Sequence, residues 1–170
     1  MQTTLPARRR WLAAAALACA AWPAWALDAP KGPLLLTVTG ALAHTNDGGA
    51  ASFDMALLRA MPQTSFSTKT PWYPQPRKFT GVLVRDLLDV VGAKATTIRA
   101  TALNDYRADM PADELIRNGA MIASLLDDEP MPVRDKGPLV IIFPFSDRPE
   151  LRTAVHYSRA VWQLRSLELR

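Results

Sequence analysis

The stretch that decides the fold begins with a β pattern and continues into a proline-rich segment. It reads Thr64-Ser65-Phe66-Ser67-Thr68-Lys69-Thr70-Pro71-Trp72-Tyr73-Pro74-Gln75-Pro76-Arg77-Lys78. Residues 64–68 alternate as a strand does, whereas residues 68–78 combine two aromatic, three proline and three cationic side chains without apolar periodicity. Because proline lacks the N–H that a sheet requires, we expect residues 68–78 to form a stiff loop outside any sheet.

Short β-prone runs and a few small helices surround this stretch. Strands are predicted over residues 34–39, 64–68, 96–103, 121–126, 139–143 and, with a bulge, 161–169. Helices are predicted over residues 53–61 with Ser52 as the cap, over 85–91 with Gly92 at the left-handed C-cap position, and over 112–117. These elements predict an α+β fold, a single domain with a mixed β-sheet and a few short helices.

The first 26 residues have the three parts of a secretory signal peptide. Arg8-Arg9-Arg10 is a basic start, residues 11–21 are apolar and alanine-rich, and Ala24-Trp25-Ala26 is a small-x-small cleavage site. The apolar part is too short to span a bilayer. We therefore expect residues 1–26 to be a signal peptide and residues 27–170 to be one domain, exported to the periplasm and not inserted in a membrane.

Charge and cysteine content exclude several classes of function. The chain has 20 Lys and Arg against 16 Asp and Glu, but three of the arginines lie in residues 8–10, so residues 27–170 are nearly neutral. A nucleic-acid partner is therefore not indicated. The only cysteine, Cys19, lies within the predicted signal peptide. The predicted domain accordingly has no disulfide, no thiolate nucleophile and no cysteine metal ligand.

The residues that usually carry catalysis are few. His44 and His156 are the only histidines, and neither has a Cys, Asp or Glu at metal-ligand spacing. Asp127 and Asp128 are better explained as a turn than as an acid–base pair. Neither a P-loop nor a dinucleotide-binding glycine motif is present.

Each of three polar clusters follows or precedes a predicted strand, and loops at strand ends can converge on one cleft. The clusters are residues 68–78, 104–111 and 134–138. Together they would provide stacking faces from Trp72 and Tyr73, acceptors from Asp105 and Asp109, and donors from Arg77, Arg107 and Arg134. That set suits a planar polar heterocycle, because aromatic rings hold its plane while carboxylates and guanidinium groups pair with its edge. The alternative is that Trp72 only fills the core and the charges form surface ion pairs.

Five segments of this sequence have the same order and spacing as the corresponding segments of one known family. They are Trp72, residues 79–88, Asn104-Asp105-Tyr106, Gly137-Pro138-Leu139 and Val161-Trp162. Together they resemble the molybdopterin-binding domain of the sulfite oxidase (SUOX) fold. The resemblance implies that a cysteine four residues before the loop tryptophan ligates molybdenum. Here that position is Thr68, whose hydroxyl is too weakly acidic to replace a thiolate on a soft metal.

The residues around these segments are closer to a cofactor-free branch of the family, the PruR-like periplasmic pterin-binding proteins. The resemblance implies a non-catalytic protein that binds a pterin without metal and docks on the periplasmic domain of a membrane signalling protein, typically one that makes or degrades cyclic di-GMP. It also implies the ligand-binding residues, which we predict to be Thr68, Thr70, Trp72, Arg77, Asn104, Asp105, Tyr106, Arg134 and Lys136.

Specific roles within this set follow from the same resemblance. Trp72 would stack on the ring, Asp105 would pair with its amino edge, and Arg134 would face its side chain. Two alternatives stay open: a molybdopterin-dependent oxidoreductase, and an interaction domain whose pocket is vestigial.

Overall fold

The computed structural model describes residues 27–170, so the predicted signal peptide lies outside the described residues. The helices are α1 (Met55–Ala60), α2 (Val84–Val90), α3 (Ala112–Arg117) and α4 (Ala154–Arg159). The strands are β1 (Leu36–Gly40), β2 (Ala51–Phe53), β3 (Thr64–Thr70), β4 (Tyr73–Leu83), β5 (Thr97–Ala102), β6 (Arg107–Pro111), β7 (Met121–Leu126), β8 (Glu129–Pro130), β9 (Val140–Ile142) and β10 (Leu164–Leu169).

These strands form two sheets. The first has the order β2-β1-β10-β5-β6, in which β1 and β10 are parallel and the other pairs are antiparallel. The second is antiparallel with the order β3-β4-β7, and β8 and β9 pair with the remaining edge of β7. The sheets with their few short helices confirm the predicted α+β class.

The chain joins the two sheets just before β10. Ile141 in β9 donates its N–H to the carbonyl of Val161 at 3.0 Å, and Val140 forms an isolated bridge with Trp162. Three residues later the chain is in β10, where Leu164, Leu167 and Leu169 are buried and the residues between them are not. The core therefore lies between the sheets, and residues 161–163 lie where the sheets meet.

The carboxylate of Asp54 caps helix α1 and attaches to it the segment that precedes β1. The carboxylate of Asp54 accepts N–H groups from Leu57, Lys31 and Gly32, each at 2.8 Å, and the side chain is buried. These backbone donors, that of Leu57 foremost, lower the pKa of Asp54. The expected cap, Ser52, lies instead in β2, because Asp54 stands one residue before the helix and can reach the N–H of Leu57.

The expectation of a loop over residues 68–78 was wrong. These residues form the end of a β-hairpin, and the turn between β3 and β4 comprises only Pro71 and Trp72. Pro74 and Pro76 fit in β4 for two reasons. On one edge of β4 the register with β3 shifts between Thr68 and Thr70, and on the other edge β7 pairs with β4 only from Phe79 onward. Proline is tolerated at such bulged and half-paired positions.

The other predictions agree closely with the structure except where the sequence pattern is weak. Strand β7 and helix α3 coincide with the predicted residues 121–126 and 112–117, and the bulge in β10 lies between Leu164 and Ser166. Strand β6 was not predicted, since it is an edge strand with charged Arg107 and Asp109 and only one buried residue, Met110. Helix α4 was missed because none of its residues is fully buried.

Candidate functional site

The aromatic side chains at the tip of the β3–β4 hairpin pack against Tyr157 and Trp162, in the segment that precedes β10. The half-buried ring of Trp72 meets the ring of Trp162 edge-on, with centroids 5.2 Å apart and planes at 77°, and that of Tyr157 at 6.1 Å and 84°. The ring of Tyr73 lies 6.0 Å from that of Trp162. Such T-shaped contacts are favourable, and they gather four polar-edged rings in one place. We call Trp72, Tyr73, Tyr157 and Trp162 the aromatic cluster.

Two cations border this cluster. The guanidinium carbon of Arg77 lies 4.8 Å from the centroid of the Tyr73 ring. The ammonium of Lys136 lies 5.5 Å from the same centroid and 6.0 Å from that of Trp162. All three distances are within the range of cation–π attraction. Burial raises the pKa of Tyr73 above its ordinary value, so its phenol stays protonated to a higher pH than a free tyrosine and can donate a hydrogen bond.

The base of the hairpin is held by a charged turn. Arg77 forms an ion pair with Asp127, whose carboxylate also accepts the N–H of Lys78 at 2.9 Å. That N–H, followed by the side chain of Arg77, lowers the pKa of Asp127. Beside this base lies an open cavity of about 370 Å³, with Tyr73, Arg77 and Lys136 on one side and Met131 among its apolar walls. It is of a size that takes a small ligand.

Residues 157–163 connect all three polar clusters. Gln163 donates its N–H to the carbonyl of Lys136 at 3.1 Å and its amide Nε2 to that of Val133 at 2.8 Å, and its own carbonyl accepts the N–H of Leu103 at 2.9 Å. The Tyr106 hydroxyl donates to the carbonyl of Ser158 at 2.7 Å. This segment, rather than any one cluster, therefore fixes their relative positions.

Three of the five non-glycine residues with positive φ among residues 27–170 lie at the same junction, and the other two form the turn after β7. Asp105, Lys136 and Gln163 have φ values of 65°, 72° and 54°, in the left-handed region that residues other than glycine rarely adopt. Each lies on one of the segments that Gln163 links. Residues held in such conformations are enriched at binding sites, where the surrounding structure maintains them.

Thr68 and Thr70 lie on the face of β3 that turns inward. Thr68 is fully buried, and its hydroxyl oxygen accepts the N–H of Ser146 at 2.9 Å. In return the Ser146 hydroxyl accepts the N–H of Lys69 at 2.9 Å. We call this reciprocal pair the Thr68–Ser146 clasp. Thr70 is 8% exposed, and its hydroxyl has no hydrogen-bond partner among residues 27–170.

The structure brings some of the predicted ligand-binding residues together and separates others. Thr70, Trp72, Arg77 and Lys136 all lie on or beside the aromatic cluster. Asp105 instead forms an exposed ion pair with Arg165 at 2.7 Å, and Arg134 is exposed beside Asp135. Asn104 accepts the N–H of Tyr106 at 3.1 Å, so both belong to the turn after β5. The ligand-binding roles of all nine residues stay predictions.

Sequence reasoning left Tyr157, Trp162 and Gln163 out of the site. Val161-Trp162 entered only as part of the family pattern, and Tyr157 has no distinctive sequence context. The signal that could have found Trp162 is composition, because residues 27–170 contain just two tryptophans and the other is Trp72. Gln163 gave no sequence signal, since its role depends on two backbone hydrogen bonds and one side-chain hydrogen bond to distant segments.

The titratable groups elsewhere do not form a metal site. No set of three or more His, Cys, Asp or Glu side chains among residues 27–170 is placed to hold a metal ion. His156 contacts Glu114 at 3.2 Å and Thr153 at 2.9 Å, which attaches α4 to α3. His44 bonds to the carbonyl of Val90 at 2.8 Å. Both histidines are thus accounted for by packing contacts.

The two joined sheets, with the aromatic cluster where they meet, define a small single domain of the α+β class. Residues 55–146 match the oxidoreductase molybdopterin binding domain, and the chain belongs to that family. Among solved structures the fold is similar to that of the sulfane dehydrogenase SoxCD from Paracoccus pantotrophus, with a TM-score of 0.59 and 16% sequence identity. The match covers 79% of this chain and 37% of that chain. No curated protein sequence matches this chain.

None of the helices within residues 27–170 is long and apolar enough to cross a bilayer.

Proposed function

We propose that this protein is a pterin-binding protein that holds the organic part of its family's cofactor without molybdenum and catalyses no reaction. The proposal depends on a contrast between two places in the molecule. The position expected to ligate the metal is buried and already hydrogen-bonded within the protein, whereas the aromatic cluster has groups that could hold a pterin. Thr68 stands where the family resemblance places the metal ligand, yet it is fully buried and its hydroxyl is committed to the N–H of Ser146. Residues 27–170 also contain no cysteine.

The groups present do not fit the metal part of molybdopterin. A molybdenum centre selects a soft thiolate, and the position in question offers a hydroxyl that already serves a backbone donor. The groups do fit a pterin ring, which is flat and has donors and acceptors along its edge. Trp72 and Trp162 supply aromatic faces, and Arg77 and Lys136 supply cations beside them.

In this proposal Trp72 stacks on the pterin ring. The guanidinium of Arg77 and the ammonium of Lys136 lie near the ring or its side chain. The open cavity of about 370 Å³ beside Tyr73 accommodates the side chain of the pterin. If Asp105 pairs with the amino edge of the ring, it exchanges its exposed contact with Arg165 for the ligand, which is a small cost.

The proposed place of action and partner rest on the sequence. Residues 1–26 have the composition of a signal peptide, which supports export to the periplasm. The likeness to the PruR-like branch supports docking of the pterin-loaded protein on the periplasmic domain of a membrane signalling protein, such as one that controls cyclic di-GMP. The pterin then acts as a signal and not as a redox catalyst.

One experiment separates this proposal from its competitors. The protein is purified from a periplasmic extract and denatured, and the released small molecules are measured by pterin fluorescence while molybdenum is assayed in the same sample. Pterin without metal is the expected result. Molybdenum together with molybdopterin would favour an oxidoreductase. If no pterin is released, and none binds after incubation with added pterins, the protein is better explained as an interaction domain.

A mutational test follows for the two residues with the most specific roles. Trp72→Ala and Asp105→Asn should each weaken pterin binding by about 1–3 kcal/mol, measured by fluorescence titration. If both variants bound within about threefold of the unaltered protein, the assigned site would be wrong, because neither a stack nor a paired carboxylate is that weak.

A further inference from the structure

Three buried polar atoms of side chains have no hydrogen-bond partner among residues 27–170. They are the hydroxyl oxygens of Thr70 and Thr80 and the indole nitrogen of Trp162. Folded proteins pair nearly all buried polar groups, because an unpaired group loses its bonds to water and gains nothing in return. Each unpaired buried atom therefore needs an explanation, and one explanation is that a ligand pairs with this atom when it binds.

The Trp162 indole nitrogen belongs to the aromatic cluster, and Thr70 is adjacent to that cluster. Thr70 pairs with Tyr73 across the hairpin turn, and the ring of Tyr73 lies 6.0 Å from that of Trp162. The indole of Trp162 is in edge contact with that of Trp72, with ring centroids 5.2 Å apart. Trp72 is one of the two turn residues that separate Thr70 from Tyr73. The unpaired hydroxyl therefore belongs to the hairpin tip, and the unpaired indole N–H belongs to a ring that packs against this tip.

The third atom lies elsewhere. Phe79 contacts the ring of Trp162, with centroids 6.2 Å apart. Neighbouring side chains on a strand point to opposite faces, so Thr80 points away from the aromatic cluster. Thr80 pairs with Ser65 and Leu125 at the position where the register between β4 and β7 shifts. Its unpaired hydroxyl therefore lies away from the aromatic cluster, and Thr80 provides an internal control.

We propose that the Thr70 hydroxyl and the Trp162 indole N–H are ligand-binding groups that stay unpaired until the pterin enters. This inference rests on the proposed function and specifies how the ring is recognised. An indole N–H can only donate, so the ligand must present an acceptor to it, whereas a hydroxyl can donate or accept. A ring carbonyl or ring nitrogen next to a second polar group meets both needs, and a pterin has such an edge.

The same geometry assigns a movement to Trp72. The two atoms are inaccessible to solvent in this structure, and the ring of Trp72 packs against Trp162. For the ligand to reach them, the Trp72 side chain exchanges its edge contact with Trp162 for a stack on the pterin. Entry of the ligand then supplies the two missing hydrogen bonds. The Trp72 ring still has an aromatic partner, which is now the pterin instead of Trp162.

The first test compares Thr70→Val with Thr80→Val. Both substitutions keep the shape of the side chain and remove an unpaired buried hydroxyl, so the melting temperature of the ligand-free protein should stay level or rise in both. Affinity for 6-hydroxymethylpterin, measured by fluorescence titration, should fall about tenfold in Thr70→Val and stay unchanged in Thr80→Val. Equal affinities in the two variants and the unaltered protein would overturn the role of Thr70.

The second test observes the indole directly. In ¹⁵N-labelled protein the indole region should contain two signals for residues 27–170, and Trp162→Phe identifies the one from Trp162. Adding 6-hydroxymethylpterin should move that signal downfield, as expected when an N–H gains an acceptor. A signal that moves upfield or not at all while the pterin binds would overturn the role of Trp162.

The outcomes separate this inference from the function on which it rests. Failure of the unaltered protein to bind any pterin overturns the proposed function together with the inference. Tight binding that depends on neither Thr70 nor Trp162 leaves the function intact and overturns the inference alone.

Discussion

Thr68 and Thr70 lie two residues apart on β3, and both side chains are buried on the same face, but only one of their hydroxyls is hydrogen-bonded. The Thr68 hydroxyl accepts a backbone N–H from Ser146, whereas that of Thr70 has no partner among residues 27–170. The first position is committed to holding the structure together. The second, next to the aromatic cluster, holds a polar group that the bound pterin of our proposal would satisfy.

Under the proposed function, this difference separates a position that serves the structure from one that serves the pterin. The Thr68–Ser146 clasp joins β3 to a segment 78 residues further along the chain, so it contributes to stability. The unpaired Thr70 hydroxyl and Trp162 indole N–H make no hydrogen bond within residues 27–170. Changes at the clasp should therefore affect stability, and changes at the cluster should affect binding.

The largest expected effect concerns access to position 68. Thr68→Cys would provide the only thiol within residues 27–170, at a side chain that is fully buried. We expect it to react with a thiol reagent on the order of 100-fold or more slowly than Ser67→Cys, because labelling requires local opening. The rates are read from absorbance in native buffer. Similar rates for the two variants would mean that the metal position is open to solvent.

Next in size is the loss of the aromatic stack. Trp72→Ala should weaken binding of 6-hydroxymethylpterin by roughly 10- to 100-fold, the value of one stacked ring. Ile116→Ala removes an exposed apolar side chain on α3 and should leave the affinity unchanged. The comparison is made by fluorescence titration. Equal affinities for both variants would place the ligand away from the aromatic cluster.

A smaller effect should distinguish the two threonines by stability. Thr68→Val leaves the N–H of Ser146 without an acceptor, so the free energy of unfolding should fall by about 1–3 kcal/mol. Thr70→Val removes no hydrogen bond and should not lower it. Urea denaturation monitored by circular dichroism measures both variants. An equal loss in the two would show that the clasp contributes nothing particular to stability.

The smallest expected effect is a pH dependence at the base of the hairpin. The pKa of Asp127 is lowered in the folded protein, chiefly by the N–H of Lys78, so its contribution to stability is present above the usual pKa of about 3.9 and is lost as the pH falls through the lower, folded pKa. The unaltered protein should exceed Asp127→Asn in unfolding free energy by about 0.2–1 kcal/mol at pH 6, since the ion pair is exposed.

That difference should decline as the pH falls below about 3.9 and disappear only below the folded pKa, which urea denaturation across the pH range can measure. Asp128→Asn removes an ion pair with Lys78 that contacts no aromatic ring, and it is the matched control for charge. A difference between the unaltered protein and Asp127→Asn that was as large at about pH 2 as at about pH 6 would show that the Asp127 charge is not its source. The clasp contains no ionisable group and should not vary over this range.

The sequence alone determined the class of fold and most of its elements. Strand β7, helix α3 and the bulge in β10 follow from the spacing of apolar residues, which is a local property of the chain. The absence of cysteine from residues 27–170 and the threonine at position 68 are likewise properties of the sequence. Because a soft metal needs a thiolate, these two properties are enough by themselves to argue against a molybdenum centre.

Only the tertiary structure decided how these parts meet. The proline-rich stretch became a hairpin because a register shift and a half-paired strand tolerate its prolines. Asp105 turned toward Arg165, and Gln163 joined the loops of Leu103, Val133 and Lys136. These contacts link residues far apart in the chain, and no local pattern of side chains specifies them, so the burial of Thr68 and the unpaired hydroxyl of Thr70 could be known only from the folded protein.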